Sequence, residues 1–174
     1  MDTLSGYIVI ERIYESSSIL IVRAVHEPHG TPVILKKLKN EFLSAKSISQ
    51  FRSGFNIAAR LDGLKIVRHL AIGNHECQFT IVLEDFGGRS LKQIMSGTRL
   101  SLPQFLALSS EIALIIASVH KRNVIHKDIK PDNFIVRPDG DAENWVVRLT
   151  DFHIASTTAS ESSIDDDHML LQGS

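Results

Sequence analysis

The sequence has little cysteine and no excess of charge of either sign. Cys77 is the single cysteine among 174 residues, so neither an internal disulfide nor a thiolate zinc cluster can form, and we expect a reducing, cytoplasmic environment. The 19 basic and 20 acidic residues give a formal net charge of -1. This balance gives no reason to expect a nucleic acid as a partner.

Long hydrophobic runs are also missing. The most apolar helical stretch, residues 112–117, is too short to cross a bilayer, and the N-terminus lacks the basic and apolar segments of a signal peptide. We therefore expect no membrane partner. With 43% apolar and 22% charged residues, the chain can bury one sizeable core, which predicts one domain or part of one.

The N-terminal half has the pattern of five strands and one helix. The strands are rich in Ile, Val and Leu, are bounded by turn residues and are predicted at 7–13, 19–26, 32–38, 65–72 and 78–84. Apolar residues recur at helical spacing between the third and fourth strands and predict an amphipathic helix over 41–61. Residues 73–76 are predicted as the turn before the last strand.

A glycine pair ends this pattern and marks a change in the chain. Gly87 and Gly88 predict a hinge at 85–89. Beyond the hinge, the pattern predicts two helices and then two short strands, at 90–96, 101–122, 134–136 and 145–149. Residues 155–168 are polar apart from Ile164 and predict a mobile loop or tail. The fold class expected from this order is α+β.

Three motifs carry the chemistry, and they follow one another along the chain. Residues 126–133 read HKDIKPDN, in which an Asp is followed five residues later by an Asn with a Lys between them, the spacing of a protein-kinase catalytic loop. Upstream, residues 33–36 (VILK) resemble the third-strand Val-Ala-Ile-Lys signature. Downstream, residues 150–153 (TDFH) resemble Asp-Phe-Gly with its last residue changed. On these motifs the chain resembles the eukaryotic-type serine/threonine protein kinase family.

The resemblance implies a protein kinase-like bilobal fold that is incomplete at its C-terminal end. The implied parts are an N-lobe with an antiparallel five-stranded sheet and one helix, a hinge, and a partial, mainly helical C-lobe, at 1–84, 85–89 and 90–174. Within the C-lobe, the implied segments are the catalytic loop, the metal-binding motif and the start of the activation segment, at 126–133, 151–153 and 154–174. The sequence also looks like the N-terminal kinase-like module of large bacterial and fungal multi-sensor hybrid signalling kinases.

The same resemblance implies ATP and Mg²⁺ as cofactors. Lys36 would grip the α- and β-phosphates, while Asn133 and Asp151 would hold Mg²⁺. Asp128 would orient the substrate hydroxyl and accept its proton, and Lys130 would neutralise the transferring phosphoryl group. The residues expected around adenine are the gatekeeper Leu83, the carbonyl of Glu84, the backbone of Phe86 and, beneath the ring, Ile135.

Each of these residues also has an ordinary structural interpretation. Lys36 could lie at a solvated strand edge, and Asp128, Asn133 and Asp151 could be turn residues, as Asp and Asn often are. The order of the three motifs favours the catalytic interpretation. His126 is expected to have a structural role, hydrogen-bonded behind the catalytic loop.

Four positions depart from the family pattern. The expected glycine-rich loop reads YESSSIL at 14–20 and has no glycine to bring backbone N–H groups close to phosphate. The best register places Gly54 where the N-terminal helix should carry a Glu that pairs with Lys36. His153 replaces a Gly with an unusual backbone angle, at an expected cost of about 1 kcal/mol or more. Lys127 replaces the usual Arg and loses its bidentate fork.

The sequence therefore predicts a kinase domain that transfers the γ-phosphoryl group of ATP to Ser or Thr, and it leaves activity open. One alternative is a degenerate pseudokinase that acts as a nucleotide-binding or protein-docking module in a signalling protein. A second is a chain without function, because its C-terminal core stays exposed. The expected partners are a protein substrate or adjacent signalling domains.

Overall fold

The structure is a computed structural model that describes residues 4–97, 99–139 and 141–158, with 141–144 described by their backbone alone. The predicted activation segment and polar tail beyond residue 158 lie outside these described residues. Five strands open the fold: β1 (Tyr7–Glu15), β2 (Ile19–His26), β3 (Thr31–Leu38), β4 (His69–His75) and β5 (Gln78–Glu84). They form one antiparallel sheet in the order β1-β2-β3-β5-β4, which confirms the predicted five-stranded sheet and the α+β class.

Strand β4 starts later and ends later than the sequence pattern predicts. The preceding segment is tied to the other half of the chain: Val67 donates its N–H to the carbonyl of Leu149 at 2.8 Å. The turn predicted at 73–76 is wrong, because β4 continues to His75, which pairs with Gln78. The two residues between them, Glu76 and Cys77, have left-handed backbones with φ of 49° and 63°, as a tight hairpin turn requires.

Helix α1 (Ala45–Arg60) covers one face of the sheet and begins four residues later than the predicted helix. Its start is fixed by a capping box, in which Ser44 and Ser47 each accept the other's backbone N–H. Its apolar face packs on the sheet, where the rings of Phe51 and Phe79 lie 6.2 Å apart.

In the described residues after the hinge, the structure has two α-helices and five short or paired strands. They are β6 (Arg89–Ser90), α2 (Leu91–Gly97), α3 (Leu102–His120), β7 (Val124–Ile125), β8 (Phe134–Asp139), β9 (Asp141–Leu149) and β10 (Ser156–Thr157). Strands β8 and β9 form an antiparallel hairpin that begins with the pair Phe134 and Leu149. The largest core cluster joins this half to the end of α1 through Ile57, Ala58 and Leu61. One core therefore connects the two halves.

Helix α3 is longer and more apolar than the stretch 112–117 suggested. By length and composition alone it could cross a membrane, which corrects that expectation, although core helices of soluble proteins pass the same test. Its buried residues belong to the main core and are Leu108, Ile115 and Val119. Phe105 in the first turns of the same helix is exposed.

Candidate active site

Lys36 and Asp151, 115 residues apart in the chain, meet at the centre of the molecule. Strand β3 directs Lys36 toward the α1 side of the sheet, where it is buried. Its Nζ atom lies 2.5 Å from Oδ1 of Asp151. The ring of Phe51 is also close, with its centroid 5.5 Å from Nζ. The lysine of the first motif therefore contacts the carboxylate of the third.

The catalytic-loop residues form a second cluster around one carboxylate. Asp128 accepts a hydrogen bond from Nζ of Lys130 at 2.7 Å and another from Nδ2 of Asn133 at 2.9 Å, both on Oδ2. The same Nδ2 also donates to the backbone carbonyl of Asp128 at 2.8 Å. These bonds leave the amide oxygen of Asn133 available as a ligand atom.

The hairpin β8–β9 brings the two clusters together. Asn133 immediately precedes β8, and Thr150 immediately follows β9. Because the two strands are paired in register, the N–H of Thr150 donates to the carbonyl of Asn133 at 2.9 Å. Asp151 is the next residue, so its carboxylate and the Asn133 amide lie at the same end of the hairpin. The pairing explains how two distant motifs share one site.

His126 lies behind the catalytic loop, as expected. Its Nδ1 accepts the N–H of Asp128 at 3.3 Å, and its Nε2 contacts the carbonyl of Thr150 at 2.9 Å. An acceptor Nδ1 and a donor Nε2 describe a neutral imidazole. Burial lowers the pKa of His126, which favours that neutral form. Its ring packs edge-on against Phe152 at 4.7 Å and supports both neighbouring motifs.

The two carboxylates are held ionised by their donors. Burial by itself would raise the pKa of Asp151, but the hydrogen bond from His153 and the charge of Lys36 hold that pKa well below its usual range. Asp128 follows the same balance: burial raises its pKa, and the hydrogen bonds from Lys130 and Asn133 lower it further than burial raises it. Both groups are therefore negatively charged at neutral pH.

The donor set suits a hard cation. Asp151 supplies a carboxylate and Asn133 an amide oxygen, which are ligand types that Mg²⁺ prefers, and Mg²⁺ commonly needs only one or two protein ligands besides phosphate and water. In the described part of the chain, no group of three His, Cys, Asp or Glu residues is arranged to hold a metal ion. These two residues therefore fit Mg²⁺ that is bound together with a phosphate ligand.

The hinge is tied to both halves by charged side chains. Asp85 binds Arg23 of β2 and also accepts the N–H of Gly87 at 2.8 Å. Glu84 binds Arg148 of β9 and accepts the N–H of Arg68 at 2.7 Å. These ion pairs span 62 and 64 residues. They fix the segment from which the adenine contacts were predicted.

The four residues predicted around adenine lie close to this hinge. Leu83 is buried, and Phe86 and Ile135 pack against the same apolar cluster. Gly88 is needed for that packing, because a Cβ at this position would lie 2.6 Å from Cγ2 of Ile135. The structure therefore brings Ile135 against the hinge, while the Glu84 side chain is engaged with Arg148.

The phosphate side of the site differs from the family pattern as the sequence indicated. The turn between β1 and β2 is closed on itself: the N–H of Ser16 donates to the carbonyl of Ile19 at 2.9 Å, and the N–H of Ile19 donates to the Ser16 hydroxyl at 3.1 Å. Those two N–H groups are used within the hairpin. Helix α1 contains no Asp or Glu, so it offers Lys36 no carboxylate.

The strain expected at His153 is found instead at Asp151. Asp151 has a left-handed backbone with φ of 70°, whereas His153 is absent from the left-handed residues of the described chain. The imidazole of His153 turns back toward the motif, and its Nδ1 lies 2.6 Å from Oδ1 of Asp151. Sequence reasoning missed this contact, since His153 was treated only as a lost glycine. The hinge ion pairs were missed for another reason, because their partners are too far apart in the chain to show a pattern.

Comparison with known proteins agrees with the geometry. A "Probable serine/threonine-protein kinase" of Clostridium acetobutylicum is 27% identical over 160 residues, covering 91% of this chain and 23% of the relative. Casein kinase I homolog 3 of Schizosaccharomyces pombe is 29% identical over 152 residues, covering 86% of this chain and 34% of the relative. Serine/threonine-protein kinase PknA of Mycobacterium tuberculosis is 29% identical over 161 residues, covering 88% and 36%. The chain thus spans about a quarter to a third of these relatives.

A family model described as the protein kinase domain matches residues 9–170, nearly the whole chain. That range includes the paired strands that carry Lys36, the catalytic loop and the Asp151 motif. The chain therefore belongs to the protein kinase domain family.

Proposed function

We propose that this domain binds Mg-ATP and transfers the γ-phosphoryl group to a Ser or Thr hydroxyl of a protein substrate. The observation that carries the proposal is the 2.5 Å contact between Lys36 Nζ and Asp151 Oδ1, next to the Asp128 cluster. Lys130 in the catalytic loop favours the Ser/Thr class, as do the names of the similar serine/threonine-protein kinases. The setting that we propose is a cytoplasmic signalling protein.

The residues divide the work of phosphoryl transfer, which needs positioning and charge more than covalent help. Lys36 binds phosphate oxygens of the nucleotide, and Asn133 and Asp151 hold Mg²⁺. Mg²⁺, when bound, neutralises charge on the phosphates and orients them for in-line attack. These three residues come from different elements, so the fold itself sets their spacing.

Asp128 acts on the attacking group. Its carboxylate accepts a hydrogen bond from the substrate hydroxyl and takes the proton as the oxygen forms its bond to the γ-phosphorus. The bond between that phosphorus and the bridging oxygen breaks at the same time, and ADP leaves. By accepting that hydrogen bond, Asp128 also orients the hydroxyl toward the γ-phosphorus. Lys130 neutralises the transferring group.

Nucleotide binding can be tested by thermal unfolding. At 100 times its dissociation constant, Mg-ATP should stabilise the chain by about 2.7 kcal/mol, which raises the melting temperature by about 5 to 10 °C. Lys36→Ala should abolish this rise. Lys37→Ala is the matched control, because Lys37 is also buried but pairs with Glu76 rather than Asp151. A protein whose melting temperature ignores Mg-ATP would contradict the proposal.

Phosphoryl transfer needs a separate measurement with labelled ATP. Asp128→Asn should remove the incorporated label, since the amide cannot accept the proton. The matched control is Asp132→Asn in the same loop, whose side chain pairs with Lys92 and touches none of the proposed reacting groups. Transfer that survives Asp128→Asn would assign the signal to a contaminating kinase.

The second candidate is a pseudokinase that acts as a docking module. Two observations favour it: the Ser16–Ile19 turn uses its own N–H groups, and helix α1 has no acidic residue. Both impair the positioning of phosphate rather than the catalytic loop. This candidate predicts no label transfer, with or without a melting shift on adding Mg-ATP.

A further inference from the structure

Helix α1 approaches the metal-binding motif unusually closely at Gly54. A Cβ atom at this position would lie 2.9 Å from Cα of His153, 2.9 Å from the carbonyl oxygen of Phe152 and 3.0 Å from the nitrogen of His153. All three neighbours are backbone atoms, so no side-chain rotation could relieve the overlap. Gly54 is therefore the residue that allows the helix to pack directly on residues 152–153.

Residues 152–153, which α1 contacts, also hold Asp151 in place through the side chain of His153. The Nδ1 of His153 and the Nζ of Lys36 both contact Oδ1 of Asp151, at 2.6 and 2.5 Å. A carboxylate oxygen can only accept, so Nδ1 of His153 carries a proton and donates. The left-handed backbone of Asp151 is costly for a residue with a side chain, and such a conformation persists only where contacts around it hold it in place.

The two departures at Gly54 and His153 are thus parts of one arrangement. Where the family pattern has a carboxylate on the helix and a glycine in the motif, this chain has a glycine on the helix and a hydrogen-bond donor in the motif. From the helix, the ring of Phe51 lies beside Lys36, with its centroid 5.5 Å from Nζ. A cavity of about 20 Å³ lies between these groups and has room for a single water molecule.

We infer that His153 is a positioning residue, which holds Asp151 against Lys36 in place of a carboxylate on α1, and that Gly54 is required because only it lets α1 dock on the His153 backbone. The inference deepens the proposed function, on which its consequence for Mg-ATP rests. The contacts themselves can be tested without adding nucleotide. Substitutions that restore the family residue at either position should therefore damage this protein.

The docking contact is tested at Gly54 by melting the full chain without nucleotide. Gly54→Ala should lower the melting temperature by about 4 to 8 °C, because overpacking against fixed backbone is destabilising. Gly54→Glu should lower it further and should not increase the Mg-ATP shift. Gly97→Ala is the matched control: Gly97 also lies in a helix, but nothing is within 4 Å of its added Cβ, so its melting temperature should be unchanged or slightly higher. Equal behaviour of Gly54→Ala and Gly97→Ala would overturn the inference.

The role of the His153 donor is tested by conservative rescue. His153→Gly should lower the melting temperature, and His153→Asn should restore most of it, because the Asn amide can donate from about the position of Nδ1. In an Asp151→Ala background, the loss caused by His153→Gly should shrink to half or less. The cost of a new glycine in the unfolded chain is present in both backgrounds and cancels.

The outcomes separate this inference from the proposed function. If His153→Asn melts as low as His153→Gly, the donor does not position Asp151, and the inference fails even where Mg-ATP binds. If Gly54→Glu raises the melting temperature or the Mg-ATP shift, a helix carboxylate is accommodated, and the inference that Gly54 is required fails. Absence of any Mg-ATP shift in the unaltered chain would contradict the proposed function. The melting temperatures measured without nucleotide would still decide the roles of Gly54 and His153.

Discussion

The two sides of the candidate site differ in how much of the family pattern they keep. The floor, residues 126–133 and 150–153, keeps the polar groups of that pattern. The roof, the 16–18 turn and helix α1, lacks its glycines and its acidic helix residue. On the floor, both carboxylates accept hydrogen bonds: Asp151 from Lys36 of the first motif, and Asp128 from Lys130 and Asn133 of its own loop. On the roof, polar groups bond to their own element, as in the β1–β2 turn and the α1 capping box. The comparison teaches that catalytic groups and phosphate-positioning groups can diverge separately, because they lie on different elements.

The largest effect on the free energy of unfolding is expected at Phe152, which joins the floor to the hydrophobic core. This ring is fully buried and packs between His126 at 4.7 Å and His69 at 6.3 Å. Phe152→Ala should lower the free energy of unfolding by about 3 to 5 kcal/mol, measured by urea denaturation. Ile10→Ala, at an exposed position of strand β1, is the control and should change it by less than about 0.5 kcal/mol. Comparable losses in the two variants would show that the floor does not depend on the buried core.

A pH-dependent effect is expected at His69, which lies between floor and roof. Burial lowers the pKa of His69 from 6.5 to about 4, so the unfolded chain binds a proton at pH 5 that the folded chain does not. Its contribution to stability is complete above pH 6.5 and is lost as the pH falls toward 4. Between pH 8 and pH 5 the loss should be about 2 kcal/mol.

The measurement is the free energy of unfolding of the unaltered chain and of His69→Phe at several pH values. The Phe variant keeps a ring beside Phe55 and Phe152, but it cannot be protonated. The two curves should therefore diverge only between pH 6.5 and 4. Parallel curves over that range would show that His69 is not held neutral by the fold.

On the roof, the start of α1 should have a smaller effect. Ser44→Ala removes the side chain that accepts the N–H of Ser47 and should lower the free energy of unfolding by about 1 kcal/mol. Ser53→Ala is the control, since Ser53 is exposed in the middle of the same helix and Ala favours helix there. A larger loss for Ser53→Ala than for Ser44→Ala would contradict this account of the helix start.

The smallest effect is expected in the β1–β2 turn, where glycine can be restored one residue at a time. Ser16→Gly removes the hydroxyl that accepts the N–H of Ile19 at 3.1 Å, whereas Ser17 is exposed and its hydroxyl has no such role in the turn. Ser16→Gly should be less stable than Ser17→Gly by about 0.5 to 1 kcal/mol in urea denaturation. Equal stabilities would show that the Ser16 hydroxyl does not close the turn.

Much of the fold could be predicted because the local pattern and the tertiary packing agree. Strands β2 and β5 have the predicted bounds, since continuous apolar runs between turn residues leave one interpretation. The predicted start of β4 was wrong, because the backbone of Lys65 and Val67 hydrogen-bonds to Leu149 rather than to strand β5. Such long-range backbone pairing leaves no signal in a local window.

The sequence by itself determined the order of the motifs, the absence of glycine in the β1–β2 turn and the absence of a carboxylate from α1, because these depend only on which residue occupies which position. Tertiary structure alone decided that Lys36 meets Asp151, that His153 shares the same carboxylate oxygen, and that Gly54 lies against the backbone of residues 152–153. The contacts of Lys36 with Asp151 and of Gly54 with residues 152–153 join elements about a hundred residues apart and depend on how the sheet, the helix and the β8–β9 hairpin pack together. No spacing along the chain encodes them.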